Sequence, residues 1–287
     1  MSTGNPTKNV VITGASSGIG QACALHLDSL GWRVFAGVRK QSDADTLQAK
    51  ASAQLTPVFI DVTKTDTIAA AAETVTGVIN DDGLGGLVNN AGIAIGGPLE
   101  FLPVENLRRQ LEINVIGQVA VTQAFLPLLR TARGRVVNMS SISGRIAMPF
   151  FGPYSASKFA LEALSDSLRR ELYPWGIDVI CIEPGAIDTP IWGKGLSAGE
   201  EVAAGLPDEA KQLYGPTLDN LRETVLNTAG KGISPQEVAK AVTHALSARR
   251  PKTRYVIGKD AKLAALVIKM LPDRWRDRLI IWVGKKL

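Results

Sequence analysis

The sequence predicts a doubly wound α/β fold, with a central parallel sheet of about seven strands and helices on both of its faces. Short runs rich in β-branched residues alternate with longer segments of helical period along most of the 287 residues. Most of the short runs are continuously apolar, as expected for strands covered on both faces. The chain has no low-complexity linker and no repeat of fixed period, and 45% of its residues are hydrophobic. Together these observations favour one large domain over two small ones.

The predicted elements follow one another in a regular order. Six strands can be located from their β-branched runs, at 9–12, 33–38, 57–60, 86–89, 135–138 and 178–182. The segments between them have helix length, and the clearest helical patterns cover 19–30 and 65–79. Because a helix-length connection separates each strand from the next, the strands are expected to run parallel.

Two stretches near the end of the chain depart from this pattern. Residues 190–232 are rich in Gly and Ala, and glycine-spaced helical pieces after the sixth strand predict a mobile lid over a site. Residues 259–287 form an amphipathic extension in which Lys and Arg interrupt the apolar positions. We therefore expect a main domain at 1–258, with the lid inside it, and a basic extension at 259–287.

A glycine-rich turn follows the first predicted strand and opens the first helix. It reads Thr13-Gly14-Ala15-Ser16-Ser17-Gly18-Ile19-Gly20. Such glycines let the backbone turn tightly beside a pyrophosphate, and the helix N-terminus presents unpaired N–H groups to it. A tight turn without a ligand would also explain a glycine cluster, but its place within a βαβ unit favours nucleotide binding.

The end of the second strand bears on which nucleotide would bind. Enzymes that use NAD usually carry Asp or Glu there for the ribose 2′-hydroxyl, whereas this chain has Val38, Arg39 and Lys40. Arg39 can pair bidentately with a 2′-phosphate, and Ser17 can donate to the same group. The pattern favours NADP(H), with NAD(H) as the alternative cofactor. The other interpretation is that Arg39 and Lys40 are solvated loop cations.

The third motif joins Tyr154 and Lys158 with Ser141, which lies thirteen residues before the tyrosine. Apolar residues at helical spacing follow, so Tyr154 and Lys158 share one face of a helix at i and i+4. A neighbouring ammonium stabilises a phenolate, and we expect it to lower the pKa of Tyr154 toward the working range. Ser141 ends the fifth strand, at the sheet edge where ligands gather in parallel sheets.

With these motifs the chain resembles the short-chain dehydrogenase/reductase family, in its compact branch, from about residue 8 to 258. Further motifs that carry the resemblance are Asp61-Val62, Asn89-Asn90-Ala91-Gly92, Asn114, Ser140-Ser141 and Pro184-Gly185. The resemblance implies a Rossmann-fold catalytic domain at 1–258 that forms a homodimer or homotetramer. Strand alternation would point Ser140 and Ser141 in opposite directions, and the thirteen-residue spacing selects Ser141.

The resemblance also implies roles for individual residues. Tyr154 would pass the proton, Ser141 would hold the substrate oxygen, and Lys158 would hold the nicotinamide ribose. Asn114 would hold a water in a proton relay. The expected cofactor-binding residues, besides Tyr154 and Lys158, are Gly14, Ser16, Ser17, Gly18, Ile19, Gly20, Arg39, Asp61 at the adenine, Val62, Asn90, Ala91, Gly92, Pro184, Gly185, and Ile187 with Thr189 at the carboxamide.

Within the family, residues 140–162 and 182–185 look like the steroid and retinol dehydrogenase-like members. That likeness implies a hydrophobic alcohol and its ketone or aldehyde as substrates. The residues expected near the mouth carry no charged anchor, and they are Ile93, Ile95, Met148, Phe150, Phe151 and Trp192, of which Trp192 also borders the lid. The alternative function is a catalytically silent NADP(H) sensor or interaction protein, which the intact set of Asn114, Ser141, Tyr154 and Lys158 argues against.

Charge is distributed unevenly along the chain. Residues 249–287 hold 12 Lys and Arg against 3 Asp, a net of +9, so the other residues carry −4 of a total of +5. The extension therefore admits two accounts: a peripheral anchor on an anionic membrane, or a helix packed on a neighbouring subunit with its basic face solvated. No motif of nucleic-acid binding accompanies the basic stretch, so no such partner is expected.

Other function classes are excluded by what the sequence lacks. Cys23 and Cys181 have no metal-ligand spacing, and His26 and His244 fall in helical patterns without partner residues, so no metal site is expected. The N-terminal residues show neither a basic region nor an apolar core typical of secretory signals, and uninterrupted apolar runs are short. We expect a cytoplasmic enzyme.

Overall fold

The computed structural model describes residues 7–228 and 232–284, and a seven-stranded parallel sheet forms its centre. The strands are β1 (Asn9–Ile12), β2 (Arg33–Val38), β3 (Leu55–Phe59), β4 (Gly86–Asn89), β5 (Arg135–Met139), β6 (Asp178–Pro184) and β7 (Arg254–Ile257). Their order in the sheet is β3-β2-β1-β4-β5-β6-β7. The order reverses between β1 and β4, which opens a crevice at the carboxyl ends of these two strands.

Helices connect the strands and cover the sheet. They are α1 (Gly18–Ser29), α2 (Gln41–Gln48), α3 (Thr65–Ile79), α4 (Val104–Leu111), α5 (Gly117–Ala132), α6 (Gly152–Glu171), α7 (Ile191–Ala204), α8 (Asp208–Thr228), α9 (Pro235–Ser247), α10 (Lys259–Met270) and α11 (Asp273–Gly284). The fold is therefore the predicted doubly wound α/β sandwich with a C-terminal extension.

The apolar core consists of two layers, one on each face of the sheet. On one face α1 and α9 pack against strand residues such as Val10 and Ile182, which are fully buried. On the other face α3 and α5 pack against Val11 and Phe35. Adjacent residues of one strand, such as Val10 and Val11, thus enter opposite layers, which explains why the strand runs are continuously apolar.

Most predicted element boundaries agree with the structure. The strands at 9–12, 33–38 and 86–89 and the helix at 65–79 are confirmed without change. β3 begins two residues earlier than predicted, at Leu55, and contains Pro57. A proline is accommodated there because β3 is an edge strand, where a missing N–H breaks no ladder on the outer side.

The segment between α4 and α5 contains a π-helical turn at Glu112–Ile116, which the sequence pattern did not reveal. With this turn, Val104–Ala132 forms one continuous helical stretch that is long and apolar enough to cross a membrane by length and composition alone. Its residues Val121, Phe125 and Leu129 are fully buried against the sheet. The α5 part of the stretch therefore packs as a core helix of the domain.

The predicted lid at 190–232 contains α7 and α8 in its described part, and residues 229–231 lie outside the described residues. Beyond β7, α10 and α11 form the extension. Ala261 at the start of α10 is fully buried, whereas Leu263, Leu266 and Met270 further along are more than half exposed. The extension thus begins against the main domain and presents an apolar face to solvent.

Candidate active site

A cavity of about 790 Å³ opens at the carboxyl edge of the sheet. The predicted site residues that line it are Gly14, Ser16, Ser17, Gly18, Ile19, Arg39, Asp61, Val62, Asn90, Ala91, Gly92, Ser141, Tyr154, Lys158, Pro184, Gly185, Ile187 and Thr189. They come from the segments that follow β1, β2, β3, β4, β5 and β6 and from the starts of α1 and α6. The parallel sheet brings them together because all of its strands end at the same edge.

The glycine turn is held by the neighbouring strand end. Thr13 Oγ1 accepts hydrogen bonds from the backbone N–H groups of Asn90 and Ala91, each at 3.0 Å. In return, Asn90 Nδ2 donates to the carbonyls of Thr13 and Gly14, at 3.0 and 3.1 Å. Hydrogen bonds therefore join the two walls of the cavity. Thr13 contributes to them, although it is not among the residues predicted to bind the cofactor.

Gly20 lies under the turn rather than on the cavity wall. A Cβ at this position would collide with the carbonyl oxygen of Gly14, so only glycine allows α1 to approach the turn this closely. The family resemblance implies that Gly20 binds the cofactor. The structure places Gly20 in the packing between helix and turn, whereas Gly14 and Gly18, both with positive φ, reach the cavity.

The far end of the cavity contains Arg39 and Asp61. Burial works to raise the pKa of Asp61, but its hydrogen bonds with Thr63 and the positive charge of Arg39 together lower it. Asp61 Oδ1 accepts from both the backbone N–H and the hydroxyl of Thr63, at 3.1 and 2.7 Å. The Arg39 guanidinium is exposed at the rim, where a phosphate could reach it.

Ser141 is positioned by a short 3₁₀ turn, Ile142–Gly144, that follows β5. Its hydroxyl oxygen accepts from the N–H of Ser143 at 3.1 Å, and its hydroxyl lies 3.4 Å from the Pro184 carbonyl. The Ser141 hydroxyl also lies near the Tyr154 hydroxyl and acts to lower the pKa of Tyr154. The neighbouring Ser140 hydroxyl is buried beside Gly144 instead. Ser141 is thus the serine that reaches the tyrosine.

Tyr154 and Lys158 lie one turn apart near the start of α6, as predicted. The lysine ammonium donates to the Met139 carbonyl at 2.7 Å and lies 5.6 Å from the centre of the tyrosine ring. Burial raises the pKa of Tyr154, and the nearby Ser141 hydroxyl lowers it by a smaller amount. The prediction that Lys158 lowers the pKa of Tyr154 is therefore wrong for this structure. Burial also lowers the pKa of Lys158 itself to about 8, so this lysine loses its positive charge more readily than a solvated lysine.

Asn114 is fully buried in the π-helical turn and lies behind the cavity wall. Its Oδ1 accepts from the Ile93 N–H at 2.9 Å, and its Nδ2 donates to the Ile93 carbonyl and to Ser157 Oγ, at 3.0 and 3.1 Å. Both amide hydrogens are therefore engaged in protein contacts. The relay water expected at Asn114 stays a prediction, and it would have to use an acceptor atom of this residue.

Asn114 is the middle member of three buried amides at i, i+4 and i+8. Gln110 accepts from the Ile95 N–H at 2.7 Å and donates to the Ile93 carbonyl at 2.8 Å. Gln118 donates to the Ala91 carbonyl at 2.9 Å. These side chains supply hydrogen-bond partners to the irregular segment 91–95, which forms one wall of the cavity. Their spacing of four residues can be seen in the sequence and indicates one shared helix face.

A buried charge cluster lies beneath Lys158. Glu183 is fully buried and forms ion pairs with Arg145 at 2.6 Å and with Arg254 at 3.3 Å. Arg254 also pairs with Glu162 at 2.9 Å, one helical turn after Lys158. The negative charge of Glu162 acts against burial and supports the ammonium form of Lys158.

A second, apolar cavity of about 140 Å³ lies under α7 and α8 and shares Ile191 with the first. Phe150 and Phe151 line it, while Ile93 lines the larger cavity and Ile95 is buried nearby. Contrary to the expectation that the mouth has no charged group, Glu200, Asp219 and Arg222 also border the apolar cavity. Arg222 and Glu200 pair with each other at 2.9 Å. The side chain of Trp192 lies outside the described part of the structure.

The large cavity suits a dinucleotide. Its volume is within the range of small-molecule sites, roughly 300–1,000 Å³. The first turn of α1 lines it, and the Ser17 side chain does not cap that helix in the described structure, so the helix N-terminus is open to an anion. Within the described residues no cluster of His, Cys, Asp or Glu could hold a metal ion.

Comparisons with known proteins agree with this geometry. The family model described as short chain dehydrogenase matches residues 8–198. Mouse retinol dehydrogenase 5 is 41% identical over 96% of this chain and 88% of that protein. An NADPH-dependent 3-dehydrocapnine reductase from Ornithobacterium rhinotracheale is 37% identical over 96% of this chain and 97% of that protein. A crystal structure of a short chain dehydrogenase from Burkholderia cenocepacia in complex with NADP superposes with a TM-score of 0.72 at 27% identity, over 96% of this chain and 97% of the other.

Proposed function

Because this chain belongs to the short-chain dehydrogenase family, we propose that it interconverts a hydrophobic alcohol and its ketone or aldehyde with NADP(H), using Tyr154 as the acid–base group. It is an NAD(P)-dependent oxidoreductase that acts on CH–OH or C=O groups. The observation that carries the proposal is that Ser141, Tyr154 and Lys158 meet in one cavity beside the open N-terminus of α1.

The proposed reaction divides the work between cofactor and protein. When bound, the nicotinamide supplies or accepts the hydride. In the reductive direction, the Ser141 and Tyr154 hydroxyls would hold the substrate oxygen, and Tyr154 would give its proton to that oxygen as it becomes a hydroxyl. The raised pKa of Tyr154 keeps the phenol protonated and ready to donate. Lys158, anchored on the Met139 carbonyl, would hold the ribose, and Asn114 would support the return of a proton to Tyr154.

The test is consumption of NADPH with a panel of apolar ketones and aldehydes, with wild type beside Tyr154→Phe. We expect wild-type turnover to vanish in the variant while NADPH still binds, because the phenylalanine keeps the ring and removes only the proton donor. Turnover by Tyr154→Phe at the wild-type rate would remove Tyr154 from the mechanism. Binding of NADPH without turnover on any substrate would instead favour the silent sensor.

We propose a preference for NADP(H) over NAD(H). Arg39 lines the cavity, and a related reductase is NADPH-dependent while a solved relative was crystallised with NADP. Replacing Arg39 by Asp puts a carboxylate against the 2′-phosphate, so we expect NADPH affinity to fall about 100-fold with NADH affinity little changed. Lys40→Asp is the matched control. Equal loss in both variants would indicate general electrostatics instead of a specific contact.

We propose that the substrate is steroid-, retinoid- or lipid-like. The apolar cavity under α7 and α8 supports this, because Phe150, Phe151 and Leu196 line it next to the proposed reaction site. A long-chain ketone should therefore give a much larger kcat/KM than a sugar or short hydroxy acid. Narrowing the cavity with Ala94→Phe should raise KM for the long-chain ketone and leave NADPH binding unchanged. Equal turnover of a sugar and a long-chain ketone would contradict the proposal.

We propose that the enzyme is a cytoplasmic homodimer or homotetramer and that residues 259–287 attach it peripherally to an anionic membrane. Exposed apolar residues, among them Leu263, Leu266, Met270, Trp275 and Ile281, share the extension with its excess of Lys and Arg. Co-sedimentation with phosphatidylserine vesicles at low salt tests this. We expect binding that is lost at high salt and in Leu263→Glu/Leu266→Glu. No binding, with a wild-type oligomer that dissociates in the variant, would favour the subunit contact.

A further inference from the structure

Asp260 is the second residue of α10, and its carboxylate reaches back to the loop that follows β6. Oδ2 accepts a hydrogen bond from the Ala186 backbone N–H at 2.9 Å. Residues 184–187 line the cavity proposed for the cofactor, and the Pro184 carbonyl lies 3.4 Å from the Ser141 hydroxyl. The start of the C-terminal extension therefore contacts the wall of the active site.

Two glycines make room for this carboxylate. A Cβ on Gly185 would collide with both Asp260 oxygens, and a Cβ on Gly258 would collide with Oδ1. Gly258 also has a φ of 114°, a conformation that other residues rarely adopt. The carboxylate thus occupies a fitted space between the end of β7 and the loop, although the residue as a whole is exposed.

Backbone groups provide further polar anchors of the loop. The Gly185 N–H donates to the Ile257 carbonyl at 2.8 Å, and the Ala186 carbonyl accepts from the Ile233 N–H at 3.0 Å. The Asp188 N–H donates to the Ile233 carbonyl at 3.0 Å. The Ala186 N–H depends instead on the Asp260 side chain, so this anchor can be removed by one substitution without touching the sheet.

From these contacts we propose that Asp260 is a positioning residue for the cofactor: it fixes the Gly185–Ala186 backbone and thereby the wall against which the nicotinamide end of NADP(H) rests. The proposal relies on the cofactor site proposed above. It means that the extension contributes directly to the catalytic domain, and that a chain ending at residue 258 would bind the cofactor less tightly.

The experiment compares the purified full-length chain with Asp260→Ala, Asp260→Asn and Asp273→Ala. Asp273 lies in the first turn of α11 and pairs with Arg276, so its variant also removes an acidic residue from a helix start without contacting the loop. Affinity for NADPH is measured by calorimetry, kcat and substrate KM are measured at saturating NADPH, and hydrogen exchange is followed in residues 184–188.

We expect Asp260→Ala to raise the Kd for NADPH about three- to tenfold, the loss of one hydrogen bond to a charged acceptor. Exchange in 184–188 should become faster, while kcat and substrate KM at saturating NADPH stay near wild type. Asp260→Asn retains an acceptor oxygen and should restore the affinity to within about twofold.

Three outcomes would overturn the proposal: an unchanged Kd in Asp260→Ala with wild-type protein that binds NADPH, an equal loss in Asp273→Ala, or no recovery in Asp260→Asn. If Asp260→Ala does not fold, Asp260→Asn and Asp260→Leu are compared instead. Unchanged hydrogen exchange and NADPH affinity in Asp260→Asn, with both altered in Asp260→Leu, would then support the proposal equally. A wild-type chain that binds neither NADPH nor NADH would overturn the proposed function together with this inference.

Discussion

At the scale of single residues, the candidate active site contains two ionisable side chains, Tyr154 and Lys158, whose pKa values burial shifts in opposite directions. Burial disfavours the phenolate of Tyr154 and raises its pKa, and it disfavours the ammonium of Lys158 and lowers its pKa to about 8. Glu162, one turn further along α6, moderates the second effect by its negative charge. Both shifts favour neutral side chains, which suits the proposed role of Tyr154 as proton donor and makes the charge of Lys158 sensitive to pH.

The lysine shift predicts the pH dependence of the reaction. The Lys158 pKa is lowered from 10.5 to about 8, so the ammonium is lost as the pH rises through about 8. In the unfolded chain Lys158 keeps its proton up to a pH of about 10.5. Between pH about 8 and 10.5 the unfolded chain therefore binds more protons than the folded chain, and the contribution of Lys158 to the free energy of unfolding rises with pH. Activity should change in the opposite direction, because the positive charge of Lys158 that we propose holds the ribose disappears.

We therefore expect kcat/KM for NADPH-dependent reduction to decline above pH about 8. Lys158→Arg should move this decline to higher pH because a guanidinium stays charged above pH 12. The measurement is a pH profile of kcat/KM for both proteins from pH 6 to pH 10. A wild-type profile that stays flat through pH 9, or a variant with the same limb as wild type, would contradict the assignment.

At the scale of secondary-structure elements, the helical stretch 104–132 positions the irregular segment 91–95 through the buried amides of Gln110, Asn114 and Gln118. The π-helical turn at Glu112–Ile116 lies between the first and the last of these amides. Because a π-helical turn is wider than an α-helical turn, it changes the directions in which the three side chains leave the helix. The segment they hold contains Ala91, Gly92 and Ile93, which line the large cavity.

Gln118→Leu tests this element. It leaves the partly buried Ala91 carbonyl without its side-chain donor, so we expect the free energy of unfolding to fall by about 1–3 kcal/mol. NADPH binding should also weaken, since Ala91 lines the cavity. Urea denaturation and calorimetry measure the two effects. Gln123→Leu, at an exposed position of α5, is the control, and an equal effect there would attribute the loss to helix propensity instead.

At the scale of the whole molecule, a buried charge cluster joins parts of the chain that are far apart in sequence. Arg254 of β7 pairs with Glu162 and Asp166 of α6, at 2.9 and 2.7 Å, and with Glu183 of β6. Glu183 is fully buried, so its charge depends on Arg254 and Arg145. The cluster therefore ties the last strand to the helix that carries Tyr154 and Lys158.

Arg254→Met should lower the free energy of unfolding by about 3 kcal/mol, because it leaves the nearly buried Glu162 without its ion-pair partner, whereas Glu183 keeps Arg145 and Asp166 keeps Arg169. Arg222→Met provides the comparison, since Arg222 and Glu200 form an exposed pair that is worth about 1 kcal/mol or less. Chemical denaturation of both variants measures the difference. Similar losses in the two would indicate that Arg254 is not held in a buried network.

Much of the molecule could be predicted from local pattern. Continuous apolar runs predict strands covered on both faces, and regular alternation with helices predicts the parallel sheet. The glycine turn, Ser141, Tyr154 and Lys158 could be located because they follow predicted strands or open a predicted helix, and parallel strands end at one edge. The roles of these residues in catalysis and cofactor binding remain proposals.

The tertiary structure decided what depends on burial and on contacts between distant residues. It placed Gly20 beneath the turn, engaged both amide hydrogens of Asn114, and raised the pKa of Tyr154 where a neighbouring lysine alone would lower it. It also brought Asp260 to Ala186 and Arg254 to Glu162, pairs separated by 74 and 92 residues. Periodicity follows from the local geometry of the backbone and can be seen in sequence. Desolvation and long-range hydrogen bonds arise only when the elements pack, and therefore only the folded chain determines them.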